Sequence, residues 1–212
     1  MEEKTFVDDI NRSVYDIKNE ENDSYRIKQG LTPEIVEKIS EEKHDPAWMR
    51  EFRLKSLEIY NNMQVPDWGP SIDGLNMDNI ATYVRANTNM KGDWKDVPEE
   101  IKDTFDRLGI PKAERESLAG VGAQYDSELV YHNVRKEVAD QGVVYTDMES
   151  ALTGEYADMV HEHFMKLITP QDHKFAALHG AVWSGGSFVY VPKGVNLERS
   201  EERRVGKECR SR

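Results

Sequence analysis

Cysteine is almost absent from this chain of 212 residues, Cys209 being the only one. One thiol excludes an internal disulfide, and with it a secreted disulfide framework or a cysteine-built metal site within one chain. No run approaches the ~18 consecutive apolar residues that a membrane span requires, so no membrane partner is expected. The opening MEEKTFVDDINRS is acidic and has no apolar stretch, so no secretory signal is expected and a cytoplasmic protein is the default. Positive charge is also scarce: 28 Lys and Arg face 40 Asp and Glu, a formal net charge of −12. The imbalance is uneven. Residues 199–212, RSEERRVGKECRSR, hold six basic and three acidic side chains, while the other 198 residues hold 22 and 37. A body this acidic repels phosphate backbones, and the basic tail has no aromatic ring for base stacking, so nucleic acid is not an expected partner.

Against these absences stand four Trp, nine Tyr and six Phe, with 38% apolar residues, enough to build a core for one or two domains. No period of 20–50 residues repeats, so no solenoid is visible in the chain by itself. Residues 1–30 are charged, lack a sustained apolar period and read as a flexible acidic arm. Thr32-Pro33-Glu34 then supplies an N-cap, a first-turn proline and an acidic first turn for a helix with Ile35, Val36 and Ile39 on one stripe. Asp45-Pro46 repeats the start signal. The helix after it carries Trp48, Phe52, Ile59 and Met63, widened by Met49, Leu54, Leu57 and Tyr60, a face broad enough for more than one neighbour.

A turn-rich loop from Val65 to Gly74 separates this helix from an extended segment at Ile80–Val84. Asp96-Val97-Pro98 opens a third helix, on which Ile101, Phe105 and Leu108 recur at helical spacing before Gly109, and Pro111 restarts a short helix through Leu118. Leu129-Val130-Tyr131 and Val143-Val144-Tyr145 read as strands joined by a helical connector that Gly142 closes. A long helix is expected over Glu149–Ile168, with Leu152, Tyr156, Met159, Val160, Leu167 and Ile168 as its stripe. A further helix over Asp172–Trp183, a turn at Ser184-Gly185-Gly186 and a strand at Phe188–Val191 follow. The fold class expected is α+β, with a mainly helical region over residues 31–183.

None of the candidate chemistry assembles into a site. His161 and His163 lie two apart, about 200° around a helix, and cannot grip one ion together. On that projection His163 falls on the apolar stripe and His161 on the solvent side. His173 and His179 diverge likewise, and no HExxH sequence is present. Gly120-Val121-Gly122 lacks the closing glycine of a dinucleotide fingerprint and follows a helix signal, so it reads as a loop. Gly206-Lys207 lacks the rest of a phosphate loop, Ser184 and Ser187 lack a nucleophile elbow, and Cys209 reads as an exposed thiol without a role. No catalytic, cofactor-binding or metal-binding residue is nominated, and no enzyme is expected.

Four segments nevertheless carry a resemblance: PAWMREFRLKSLEIY, VPEEIKDTFDRLGIPKAE, AGVGAQYDSELVYHN and, most specifically, KFAALHGAVWSGGSFVYVPKGV. From about Gly30 to Val195 the chain resembles the N-terminal part of the SufB/SufD family, the scaffold proteins of iron–sulfur cluster assembly, and lies on the SufB side of it. The resemblance implies a protein about twice this length, centred on a right-handed parallel β-helix whose first strand would start within residues 184–198. It implies a SufBCD complex in which SufB pairs with SufD and docks the SufC ATPase through a C-terminal segment, with sulfur donor proteins as further partners. The residues that build the cluster lie in those later parts, so no site residue carries over, and the iron–sulfur cluster is not expected to be bound by these residues alone. Residues 199–212 resemble nothing in the family and are expected to be a non-native tail on a truncated frame. Two rival readings are a free-standing acidic helical interaction module and a histidine-based metalloenzyme.

Overall fold

The computed structural model describes residues 23–69, 71–87, 89, 91–107, 120–125, 127–134 and 136–196. Helix α1, Pro33–Glu42, starts as its residue types dictate: Thr32 Oγ1 accepts from the Ile35 amide at 3.4 Å and Pro33 occupies the first turn. Ile35, Val36 and Ile39 are buried on one side. The chain then turns through His44, a non-glycine residue at φ +54°, into α2, Ala47–Asn62. The broad apolar face of α2 does meet two neighbours. Met49 packs with Ala151, Leu152, Val160 and Trp183, while Leu57 packs with Val36 and Ala181.

The main partner of α2 is α7, Lys174–Val182, whose buried residues Ala176, Ala177, Gly180 and Ala181 are all small. Small side chains let two helix backbones approach closely. At Gly180 the approach is closed to anything larger, because an added Cβ would stand 2.7 Å from Ser56 Oγ and 3.0 Å from Ser56 Cβ.

The strands of the described residues form three two-stranded antiparallel sheets. Strand β1, Asp23–Arg26, pairs with β2, Val84–Ala86. Ile27 and Tyr83 continue the pair inward, linked by Ile27 N to Tyr83 O at 3.0 Å, and are buried with Ile35 and Ile39. The flexible arm expected over residues 1–30 is therefore corrected for residues 23–30. Their inward set (Asp23, Tyr25, Ile27) has a period of two and only two apolar members, too little to register as a helical or strand signal. Residues 1–22 of that arm lie outside the described residues.

Helix α3, Glu99–Arg107, packs Ile101 with Val97 and Val130, flanked by Trp94, Phe105 and Tyr125. Strands β3, Gly120–Tyr125, and β4, Glu128–Val134, form a hairpin. Gly120-Val121-Gly122 is thus the start of a strand rather than a loop. The expected helix over 111–118, with Leu108 and Gly109, lies outside the described residues. A single helical turn, α4, Lys136–Ala139, ends before Gly142, whose φ of +79° suits glycine.

Strand β5, Val144–Asp147, pairs with β6, Ser187–Tyr190, in the register Val144 to Tyr190 and Asp147 to Ser187. The long helix expected over Glu149–Ile168 is two short ones: α5, Met148–Thr153, and α6, Ala157–His163. Gly154 leaves the helical region at φ −96° and ψ −152°, the weakest helix former in the stretch placed where the chain bends. Leu152, Tyr156, Met159 and Val160 still face inward, but Leu167 and Ile168 lie past the end of α6 and are exposed.

The architecture is mixed helix and strand, as the α+β expectation requires. Every described strand pair is antiparallel, and β6 is the only described strand after residue 184, so a parallel β-helix is neither shown nor excluded. No described helix is long and apolar enough to cross a membrane.

The α2–α7 crossing yields a direct test. Gly180→Ala should cost about 1–3 kcal/mol through overpacking. Combining it with Ser56→Gly should cost less than the sum of the two single changes, because the clash partner is gone. Urea denaturation of the parent, both singles and the double measures this; strict additivity would place the clash elsewhere.

Candidate functional site

Arg53 sits in the middle of α2 with 0% exposure. A buried guanidinium is costly unless its charge is paired and its donors are met; here the charge is paired, while Arg53 Nη2 and Asp45 Oδ1 are buried without a hydrogen-bond partner. Arg53 Nε donates to Asp45 Oδ2 at 2.6 Å, and neither side chain is exposed. Nη1 donates to the carbonyls of Trp183 at 2.7 Å and Ala181 at 3.3 Å, at the carbonyl-rich end of α7 where a cation is favoured. The guanidinium also lies 4.6 Å from the centroid of the Trp183 ring, whose Nε1 donates to Met49 Sδ at 3.4 Å. Burial lowers the Arg53 pKa from its ordinary value, while the bond to and charge of Asp45 oppose that shift.

Two residues earlier in the same corner, Lys43, with its side chain 4% exposed, meets Glu149 at 2.8 Å. The α1–α2 corner thereby grips both roots of the β5–β6 ribbon. Lys43 holds Glu149 just past β5, and Asp45, through Arg53, holds residues 181 and 183 just before β6. Burial pushes the Glu149 carboxyl above its ordinary 4.5, against the opposing pull of Lys43. Asp147 ends lower than its ordinary 3.8. Burial pushes it up, but its bonds to Ser150 (Oδ1 accepts from the Ser150 amide at 2.8 Å, capping α5) lead the contacts that together outweigh burial.

At its other end, α7 is capped by a histidine: His173 Nδ1 accepts from the Ala176 amide at 3.1 Å. An open groove of about 500 Å³ lies beside this cap. His163, His173 and His179 line it with Lys166, Leu167 and Ile168, over Met165, Phe175 and Ala176. Burial first, then the Arg53 charge, hold His179 below its ordinary 6.5.

The histidines are therefore distributed differently from the sequence projection. His163 is exposed rather than on the apolar stripe, because α6 ends there. His161 is exposed as expected, yet its ring stacks 4.4 Å from that of Trp48. His173 and His179, expected to diverge, meet His163 around one groove. No group of three or more His, Cys, Asp or Glu among the described residues is placed to hold a metal ion. Ser184 lies in the turn before β6, and Ser187 Oγ is 3.3 Å from the Tyr145 hydroxyl. Gly206, Lys207 and Cys209 lie outside the described residues. Sequence reasoning missed Arg53, an ordinary charged letter in an amphipathic helix. The one available signal was an Asp-Pro helix start with an Arg on the face that also carries Met49 and Ser56.

The sequence that builds this body has known relatives. Residues 35–201 match the family described as SufBD protein N-terminal region, and the chain belongs to that family. It is 52% identical over 190 residues to the iron–sulfur cluster assembly protein SufB of Bacillus subtilis strain 168, covering 90% of this chain and 41% of that protein. Iron–sulfur cluster assembly SufBD family proteins of Staphylococcus haemolyticus and Staphylococcus epidermidis are 47% and 46% identical over the same shares. The chain spans about two fifths of the length of these relatives.

Asp45→Ala should destabilise the fold by about 3–5 kcal/mol, because it strands a buried guanidinium. Replacing both partners, Asp45→Leu with Arg53→Met, should recover most of that loss in denaturant titrations. If the double change is as damaging as the single, the ion pair itself is the stabilising element.

Glu149 gives a pH test. The folded chain keeps the Glu149 proton to higher pH than the unfolded chain does. Its contribution to stability is complete below 4.5 and is lost as pH rises through the raised folded value. Glu149→Gln should abolish that slope, so the stability of the variant relative to the parent should climb as pH rises from 4.5 through the raised folded value. A constant difference across the window would show that burial does not control this carboxyl.

Proposed function

We propose that this chain is the N-terminal part of a SufB-like scaffold for iron–sulfur cluster assembly, acting in the cytoplasm by binding and transfer rather than by substrate turnover. The observation that carries this reading is the 52% identity over 190 residues to a protein named for that assembly. The 41% coverage supports a division of labour within a longer chain. On this reading the helical body is a platform at the front of the scaffold. The segments that build the cluster and dock the SufC ATPase, with the β-helix that pairs with SufD, belong to the remaining length. Sulfur donor proteins deliver to the assembled SufBCD complex, and the iron–sulfur cluster is its cargo.

The polar groups described above fit a platform. Asp45, Arg53, Lys43 and Glu149 are engaged with one another and with α7 carbonyls, which makes them parts of the frame.

The rival reading, a free-standing acidic interaction module, draws on the net charge of −12. Co-expression with tagged bait separates the two. A full-length family relative should retain both SufC and SufD through affinity purification, and this chain should retain no SufC. Retention of SufC by this chain at the level of the longer protein would overturn the proposed division, and an independently folded chain that competes for neither partner would favour the module.

A further inference from the structure

Single exposed apolar residues are ordinary, but clusters mark contact surfaces. The three most exposed large apolar side chains among the described residues are Leu167 at 98%, Trp68 at 73% and Ile168 at 64%. All three gather at one place. Leu167 and Ile168 line the groove beside α7, and the Trp68 ring abuts His173 edge-on with centroids 5.9 Å apart. The segment that presents the Leu-Ile pair is fastened at both ends. Lys166 N donates to His163 O at 3.2 Å, Asp172 N donates to Thr169 O at 3.1 Å, and Thr169 N donates back to the Asp172 carboxylate. Met165, a non-glycine residue, sits at φ +47° within it. The chain thus accepts a strained backbone while it leaves two large apolar side chains in water.

The polar chemistry of the groove is one-sided. No side chain that lines it carries an oxygen atom; Lys166 and the three imidazoles supply nitrogen only. The cap fixes one tautomer: His173 Nδ1 accepts from the Ala176 amide, so its proton lies on Nε2, directed away from the cap as a donor. A groove with apolar knobs, the Lys166 ammonium, the His173 Nε2–H donor and no lining carboxylate suits an occupant with apolar anchors and one or two carboxylates. A lysine- or arginine-bearing segment would meet Lys166 and find no carboxylate among the lining side chains. The net charge of −12 disfavours a second copy and equally disfavours a long acidic run.

We propose that this groove docks a mainly apolar peptide segment of a partner protein that carries one or two carboxylates. The site goes beyond the scaffold reading and does not depend on it, since it is tested on this chain without SufC or SufD. The probe is a fluorescein-labelled peptide of about twelve residues with leucines at helical spacing and two glutamates, compared with the same peptide bearing lysines in their place. Fluorescence anisotropy should show saturable binding of the glutamate peptide and binding at least about tenfold weaker for the lysine peptide. Leu167→Asp and Ile168→Asp, both at exposed positions, should each weaken the glutamate peptide by about tenfold or more with unchanged thermal melting. Val189→Asp, an exposed apolar position on β6 outside the groove, should leave binding as it was. Equal binding of the two peptides, no saturation below about 1 mM, an equal loss with Val189→Asp, or binding that appears only with added Zn²⁺ would each overturn the proposal.

Discussion

The constraint on which the rest of this structure depends is the enclosure of one positive charge. Arg53 cannot be buried unless Asp45 lies against it and α7 ends where its last carbonyls point at the guanidinium. Those demands fix the corner between α1 and α2, the length of α7 and the place where Trp183 leaves the helix. They also account for the letters of KFAALHGAVWSGG. Ala176, Ala177, Gly180 and Ala181 let α7 approach α2 closely enough for Arg53 to reach across. Trp183 covers the guanidinium, and the Gly185-Gly186 turn carries the chain from that cover into β6. At Gly185 a Cβ would stand 2.7 Å from Gln124 Oε1, so the turn also fits against the β3–β4 hairpin. The letters of this segment answer a packing requirement.

What the sequence made legible, and what it hid, follows from how local each determinant is. Thr32 and Pro33 act within one helical turn, and they did what their types imply. The two-sided face of α2 and the β-rich run into β6 were equally readable, because burial imposes a periodicity that survives in a single sequence. The break at Gly154 was not readable, because the apolar stripe continues in register through Tyr156 and Val160 and conceals the bend beneath it. Strand β1 escaped notice because its stability comes from β2, some sixty residues away, rather than from its own composition. Gly120-Val121-Gly122 misled for the same reason: hairpin pairing with β4 overrode a turn-like local sequence. Arg53 was the deepest omission. Its burial is set largely by residues 128 and 130 positions away, and the Asp-Pro helix start before it is the one local sign that sets it apart from a solvated arginine.

The arrangement of charge bears on what kind of work such a body can do. Perturbed ionisable groups often mark active sites, yet structural ion-pair networks perturb them too. Here the raised Glu149 and lowered Asp147 sit at the root of one ribbon, and each has a structural partner that accounts for its position: Lys43 for the first and the α5 amides for the second. Neither lines the groove. The groove itself presents apolar knobs, one lysine and three imidazoles without a carboxylate. Strong electrostatics are thus placed where they hold segments together, and weak, adaptable contacts are placed where another molecule can reach.

That separation has a mechanical consequence for a platform. Were the exposed Leu167 and Ile168 carried on a loose loop, ordering the loop would cost conformational entropy at every encounter and weaken the contact. Instead the segment is tied to α6 through His163 and to α7 through the His173 cap. The end of α7 opposite that cap is held by Arg53. The buried charge and the exposed patch, about two helical turns apart along α7, are the fixed end and the working end of one element.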